Sequence, residues 1–342
     1  MSNKDYISQR ENIVFKKKIK INSAGTVVGR KEHEGPLGEY MDIFCDDEKM
    51  GQKSFENAES EMCRLALNIT MSKGKLCEKN IDYIIAGDLL NQCTGAGYGL
   101  VSFDIPYFGL YGACSTFAEA MIIGGLLIES GAAKNVACLA SSHFCSAERQ
   151  FRFPLEYGGI SEATAQNTVT GAGCVILSET NEDEEGVYLT EALPGIVNAR
   201  GIKDASNMGA AMCTAASDTI LRYFNNSKTT ADKFDLIATG DLGKEGHSIA
   251  FMMMKNKIEG ISGVFNDCGM MIYDLKNQDV GCGGSGCGCS AVVSSGFIYN
   301  SMLKNEMKNC LIVGTGAMMS PKSLLQGHDI PAIAHLVRWE KR

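Results

Sequence analysis

No stretch of this chain is apolar over the roughly 18 residues that a membrane span needs. The best candidate, residues 121–128, stops at Glu129. Residues 1–20 are polar and charged, with no apolar signal core. The expectation is a soluble chain made in the cytoplasm; peripheral attachment through a protein partner would leave no such mark. Basic excess is also missing. Lys and Arg total 32 against 40 Asp and Glu, a net charge of −8, which argues against nucleic acid as a partner. Lys16, Lys17, Lys18 and Lys20 cluster, but such a run more often solvates a strand end than binds a membrane. The 14 cysteines include no Cys-x-x-Cys pair, so zinc or iron–sulfur ligation is not indicated. They sit at apolar positions such as Cys138, Cys174 and Cys310 and read as reduced, buried thiols. No EF-hand loop is present, and the glycine-rich residues 281–288 lack the lysine of a phosphate-binding loop.

What is present repeats itself. Ile81-Asp82-Tyr83-Ile84-Ile85-Ala86-Gly87-Asp88-Leu89 reads like Phe234-Asp235-Leu236-Ile237-Ala238-Thr239-Gly240-Asp241-Leu242. Both are apolar strands that end in Gly-Asp-Leu. Gly112-Ala113-Cys114-Ser115 resembles Cys287-Gly288-Cys289-Ser290, and each opens a helix-like stretch that leads to another apolar strand, residues 135–140 and 309–314. Strands alternate with helices in both halves, the pattern of helices packed on mostly parallel sheets. The polar residues 181–185 mark the seam, dividing the chain into units 1–182 and 183–342. Two such halves stacked face to face would sandwich a shared helical layer.

Cys114 is the residue that carries chemistry. It stands between an apolar run, residues 107–111, and a long apolar and small-residue stretch, residues 117–131. A strand, a tight turn and a helix would place its sulfur at a helix N-terminus. Unpaired amides and the helix dipole there lower a thiol pKa and attract anions. The stretch 114–131 carries only Glu119 and Glu129 as charges and so suits a buried inner helix. Gly124 and Gly125 cost up to ~1 kcal/mol each in a helix, offset if backbones approach closely there.

In these features the chain resembles the thiolase and ketoacyl-synthase superfamily, whose members are duplicated and place a nucleophilic cysteine at the start of a central helix. The resemblance implies an α/β thiolase-like fold of two pseudo-symmetric halves layered α-β-α-β-α, and a homodimer paired through sheet edges. More closely, the chain resembles a family of stage V sporulation proteins. The matching segments are Asn22-Ser23-Ala24-Gly25-Thr26, Gly35-Pro36-Leu37-Gly38, Ala86-Gly87-Asp88-Leu89-Leu90-Asn91-Gln92, Gly112-Ala113-Cys114-Ser115-Thr116, Ser141-Ser142-His143, Ala147-Glu148-Arg149-Gln150-Phe151-Arg152, Glu156-Tyr157-Gly158-Gly159 and Gly284-Ser285-Gly286-Cys287. That resemblance implies a non-membrane member of a spore channel assembly, peripheral at the spore inner membrane beside integral membrane subunits. It also implies binding of dipicolinic acid, free or as its calcium chelate, for transport into the developing spore.

Acyl chemistry in the superfamily needs two further side chains from the second half, usually histidine with histidine or asparagine. Here the corresponding loops read Gly240-Asp241-Leu242 and Gly283-Gly284-Ser285-Gly286. His247 follows the first loop and could swing back, His335 reads as a core residue, and His33 and His328 read as surface residues. The expectation is therefore a non-catalytic binder with no cofactor, the alternative an active acyltransferase with Cys114 as nucleophile. The carboxyl ends of strands line the ligand crevice of an α/β sheet, so Cys114, Asp88 and His143 are expected to converge. Ser115, Asn91, Gln92 and Arg149, with Arg152 as a second arginine, are the expected donors to two carboxylates. The bland reading of His143 is a helix cap. Calcium would enter only with the ligand, through Asp88, Glu119 or Asp241.

Overall fold

β-Branched and small apolar residues favour strands that are covered on both faces, and the apolar runs of this chain fold accordingly. The computed structural model describes residues 11–152, 158, 162–181 and 184–342. The first half runs β1 (Ile13–Gly29), α1 (Phe55–Lys73), β2 (Tyr83–Gly87), β3 (Tyr107–Gly109), α2 (Thr116–Ser130), β4 (Asn135–Ser142), α3 (Phe144–Phe151) and β5 (Gly171–Thr180). The second runs β6 (Val187–Leu193), α4 (Met208–Ser227), β7 (Leu236–Thr239), β8 (Phe265–Asp267), α5 (Cys287–Val293), β9 (Asn309–Ala317) and β10 (Ala332–Lys341).

The echo in the sequence is an echo in topology. From β1 outward the order is β1-β5-β4-β2-β3, and from β6 outward it is β6-β10-β9-β7-β8. Directions match as well: the two inner pairings of each half are antiparallel and the two outer ones parallel. Each half-sheet is thus mixed, not mostly parallel as the alternation of strands and helices implied. β5 and β10 return directly beside β4 and β9, which needs no crossover of the kind that parallel neighbours require. The half-sheets are also not separate: β1 pairs antiparallel with β6 and joins them into one hydrogen-bonded path. The expected seam at residues 181–185 includes residues 182 and 183, which lie outside the described residues, as do residues 1–10 and, Gly158 apart, the motif 156–159.

Side-chain alternation sorts the core into three parts. Val136, Cys138, Val175, Leu177, Ile312 and Val337 face inward onto Phe117 and Met121 of α2. Ala137, Leu139, Cys174 and Ile176 face outward onto Met62 and Leu67 of α1. Leu311, Val313 and Leu336 pack on Met212, Ile220 and Tyr223 of α4. The layers are therefore helix, half-sheet, helix, half-sheet, helix. Residues 113–130 are apolar and long enough to cross a membrane by composition, further than the 121–128 run indicated. Instead α2 contacts β1, β2 and β4 on one side and β6, β9 and β10 on the other.

Small residues make the inner layer tight. A Cβ on Gly125 would come within 2.6 Å of Phe15, and one on Gly124 within 3.0 Å of Cys138 Sγ. α5 lies backbone to backbone on β5, where a Cβ on Gly173 would sit 2.3 Å from the Ala291 carbonyl carbon. Gly173→Ala is expected to cost ~1–3 kcal/mol by overpacking. Gly97→Ala, which meets nothing within 4 Å, should be neutral or gain up to ~1 kcal/mol of helix propensity. Urea unfolding midpoints measure both; a Gly173→Ala protein as stable as the parent would refute backbone contact between α5 and β5.

Candidate functional site

The corner before α2 is built from its own hydroxyls. Ala113 takes a left-handed φ of 50°, and a single turn of 3-10 helix, Ala113–Ser115, precedes α2. Ser115 Oγ donates to the Gly112 carbonyl at 2.7 Å, and Thr116 Oγ1 donates to the Ala113 carbonyl at 2.7 Å. Ser115, expected as a ligand donor, is buried and committed to the turn. Cys114 is only 5% exposed. Its thiol lies beside the Asp241 carboxylate, and burial together with the charges of Asp241 and Cys287 pushes its pKa well up. The expected lowering by helix amides is overturned: desolvation and a facing carboxylate outweigh them.

Asp241 comes from the loop after β7 and reaches Cys114 from the second half. It is fully buried. Its carboxylate accepts from Thr315 Oγ1 at 2.7 Å, the Gly286 amide at 3.0 Å and Ser285 Oγ at 3.1 Å. Burial pushes it up to about 7 despite these donors. The facing corner of α5 completes the arrangement, with Cys287 Sγ donating to the Ala113 carbonyl at 2.9 Å. An imidazole beside a thiol becomes a cation that stabilises the thiolate; the charge of a carboxylate beside a thiol disfavours the thiolate instead. None of the five histidines, all of them among the described residues, bonds to Cys114. His247 stacks on Phe265 at 4.5 Å, and His33 on Phe44 at 3.7 Å. His335 Nδ1 accepts from the Gly195 amide at 3.1 Å, and burial pushes it down to about 4. His328 lies at the separate cleft around residues 318–331.

The other expected site residues do not converge on this sulfur. His143 caps α3, its Nδ1 accepting from the Cys145 amide at 3.1 Å while Nε2 bonds the Glu48 carbonyl at 2.7 Å. It faces a different cavity of about 340 Å³, shared with Lys31, Glu32 and Asp46. Asp88 accepts from the Ala96 and Leu90 amides at 2.7 and 2.8 Å. Its charge faces buried Glu59, which burial and then the like charge of Asp88 push upward. Asp88 thus staples its own loop behind Cys287. Asn91 and Gln92 are exposed, and the Asn91 amide bonds Gln150 Oε1 at 2.9 Å. Arg149 pairs with Glu56 at 3.1 Å and lies over the Phe55 ring. Glu119 Oε2 lies against Gly112 without a hydrogen-bond partner among the described residues. Among the described residues no group of three or more His, Cys, Asp or Glu could hold a metal ion. The lysine cluster is partly neutralised, Lys17 pairing with Glu179 at 3.0 Å and Lys20 with Glu184.

The cavity at Cys114 has other walls. Leu89, Phe151, Met208 and Met319 supply apolar surface, and Arg152, Glu148, Thr168 and Ser285 supply polar groups. It measures about 40 Å³, room for about three waters. Arg152, not Arg149, is its cation. It donates to Glu148 at 2.8 Å and to the Gln166 carbonyl at 3.3 Å. Helical spacing decides this: residues 147, 148, 151 and 152 share the cavity face of α3, and Arg149 is turned away.

A family model described as stage V sporulation protein AD (SpoVAD) matches residues 9–340. The chain is 41% identical over 335 residues to stage V sporulation protein AD of Bacillus subtilis (strain 168), covering 98% of each. Among solved structures it is similar to 3-oxoacyl-[acyl-carrier-protein] synthase III of Aquifex aeolicus VF5, with TM-score 0.58, 12% identity, and 94% of this chain and 99% of that one covered. Human mitochondrial 3-ketoacyl-CoA thiolase gives TM-score 0.53 at 12% identity, covering 96% and 99%. These likenesses establish the thiolase-like fold.

The Asp241 carboxyl ionises near 4 in an unfolded chain and near 7 in the folded one. Its contribution to stability is therefore complete below pH 4 and is lost as pH rises through 7. Asp241→Asn should flatten the decline in stability between pH 5.5 and 8.5 by ~1 kcal/mol or more. Chemical denaturation across that range checks it, and parallel curves for both proteins would show that the carboxyl titrates normally.

Proposed function

The chain belongs to the stage V sporulation protein AD family, and from that premise we propose that it is a non-catalytic receptor for dipicolinic acid, free or as its calcium chelate. It serves the transport of that acid into the forming spore as the peripheral member of a channel whose other subunits are integral membrane proteins. The observation that carries this reading is the Asp241 carboxylate on the Cys114 thiol. Where a condensing enzyme keeps a base that becomes a cation, this chain keeps an acid that holds the sulfur neutral. The nucleophile corner survives as a shaped, dry turn with its reactivity suppressed.

A flat aromatic dianion needs donors for its carboxylates and apolar walls for its ring. Arg152, Thr168 and Ser285 are the donors at the Cys114 cavity; Leu89, Phe151, Met208 and Met319 are the walls. Ligand pockets generally span ~300–1,000 Å³, so a cavity of about 40 Å³ must open to admit this ligand. The Glu148–Arg152 pair and the two methionines are the parts that give way, freeing Arg152 for a bidentate bond. Because Asp241 repels a dianion once ionised, affinity falls as pH rises through about 7. β3 is an edge strand with Tyr107 and Phe108 39% and 47% exposed. It is the edge through which we propose that two copies pair.

The second reading, an acyltransferase, is favoured by the preserved left-handed turn at Ala113 and the cysteine that follows it. Calorimetry separates the two. Dipicolinate is expected to bind saturably without adding mass to Cys114, Arg152→Met to weaken binding at least tenfold, and Asp241→Asn to strengthen it at pH 8. An acyl-thioester on Cys114 with turnover from an acyl-coenzyme A substrate, lost in Cys114→Ala, would overturn the receptor reading.

A further inference from the structure

The two half-sheets join through a ladder with a hole in it. β1 and β6 pair at Val14–Glu191 and next at Ile19–Leu189, so residues 15–18 stand opposite Thr190 alone. On its other side β10 passes Thr190 as well, pairing Arg338 with Glu191 and Trp339 with Leu189. The bulge in β1 is pinned away from β6, since the Lys16 and Lys17 amides both donate to Glu129 Oε2, at 3.1 and 3.0 Å. This leaves a cleft of about 130 Å³ at the seam, separate from the cavities at Cys114 and His143.

The chemistry of this cleft is cationic. Lys17, Lys18, Arg338 and Arg342 line it together with Glu191 and Glu340, and Glu179 pairs with Lys17. Arg338 is engaged with Glu191 at 2.5 Å and Asn309 at 2.9 Å. Lys17 and Arg342 each meet one carboxylate at the rim, at 3.0 and 3.2 Å, and keep further N–H donors. Thr190 lines it as well, a residue 9% exposed whose hydroxyl has no hydrogen-bond partner among the described residues. A buried hydroxyl is ordinarily paired. The cleft to which Thr190 belongs has, by the same measure as the Cys114 cavity, room for about ten waters, enough for a hydrated tetrahedral oxyanion. Residues that carry donors come to it from three strands, which suits a group with several acceptor oxygens.

We propose that this cleft binds a phosphoryl group, held by Lys17 and Arg342 at the rim and by Thr190 Oγ1. The site is independent of the Cys114 cavity and of what that cavity binds. Inorganic phosphate is the probe, titrated by calorimetry at matched ionic strength in chloride, with Lys17→Met/Arg342→Gln and Thr190→Val compared with the parent. Neither set removes packed apolar surface, and melting curves in chloride verify that both fold. Saturable phosphate binding that falls at least tenfold in the double variant and about threefold or more in Thr190→Val supports the site. Heats equal to those of chloride, or variants that bind like the parent, overturn it. Cosedimentation with phosphatidylcholine vesicles with and without phosphatidic acid distinguishes the source. Binding that needs phosphatidic acid and is lost in the double variant assigns a lipid headgroup. Phosphate binding without cosedimentation assigns a soluble phosphate. Cosedimentation unchanged in the double variant counts against the cleft.

Discussion

The Asp241 carboxylate beside the Cys114 thiol is where the two halves of this chain meet chemically. One partner comes from the first repeat and the other from the second, and the hydrogen-bond donors to the Asp241 carboxylate all belong to the second repeat. Ser285 and Gly286 lead into α5, and Thr315 lies in β9. A buried carboxylate without such donors would carry a large desolvation penalty. Satisfying it fixes the spacing between α2 and α5, and with it the width of the cavity above the sulfur.

The same tripeptide has taken two roles. Gly87-Asp88-Leu89 and Gly240-Asp241-Leu242 occupy equivalent strand ends, yet Asp88 is spent on the amides of its own loop while Asp241 is held by Thr315, Ser285 and Gly286 and lies beside the Cys114 thiol of the other half. The difference lies in the following chain. Residues 90–96 fold back over Asp88 and offer amides within reach. The amides of Leu242 and Gly243 are instead taken by buried Asp267, which leaves the Asp241 carboxylate to point at the thiol.

Much of the architecture was legible in the sequence because it rests on local pattern. Apolar strands, the uncharged inner helix and the doubled motifs each report a buried surface directly, and β4 and β9 contain the runs 135–140 and 309–314. Strand direction was not legible, since alternation of strand and helix says nothing about the side from which β5 and β10 return. At the site, Cys114 was readable from its flanks, and the missing histidines were readable as absences. What sequence could not supply was convergence. Asp88 and His143 both sit at strand ends, but hydrogen bonds to nearby backbone claim them first. Arg152 was distinguishable from Arg149 by helical phase. Met208 and Met319 arrive from distant loops, and no local signal points to them.

Burial of α2 between both halves has a consequence for synthesis. A ribosome delivers residues 113–130 well before β9 and β10, the strands that cover the helix's second face. At ~5–20 residues per second, about 200 further residues take ~10–40 s to emerge. Throughout that interval the nascent chain displays a greasy segment whose composition mimics a membrane anchor, on a half that cannot yet close over it. Chaperone attendance and the avoidance of mistargeting are thus demands built into the order in which this duplicated chain is translated.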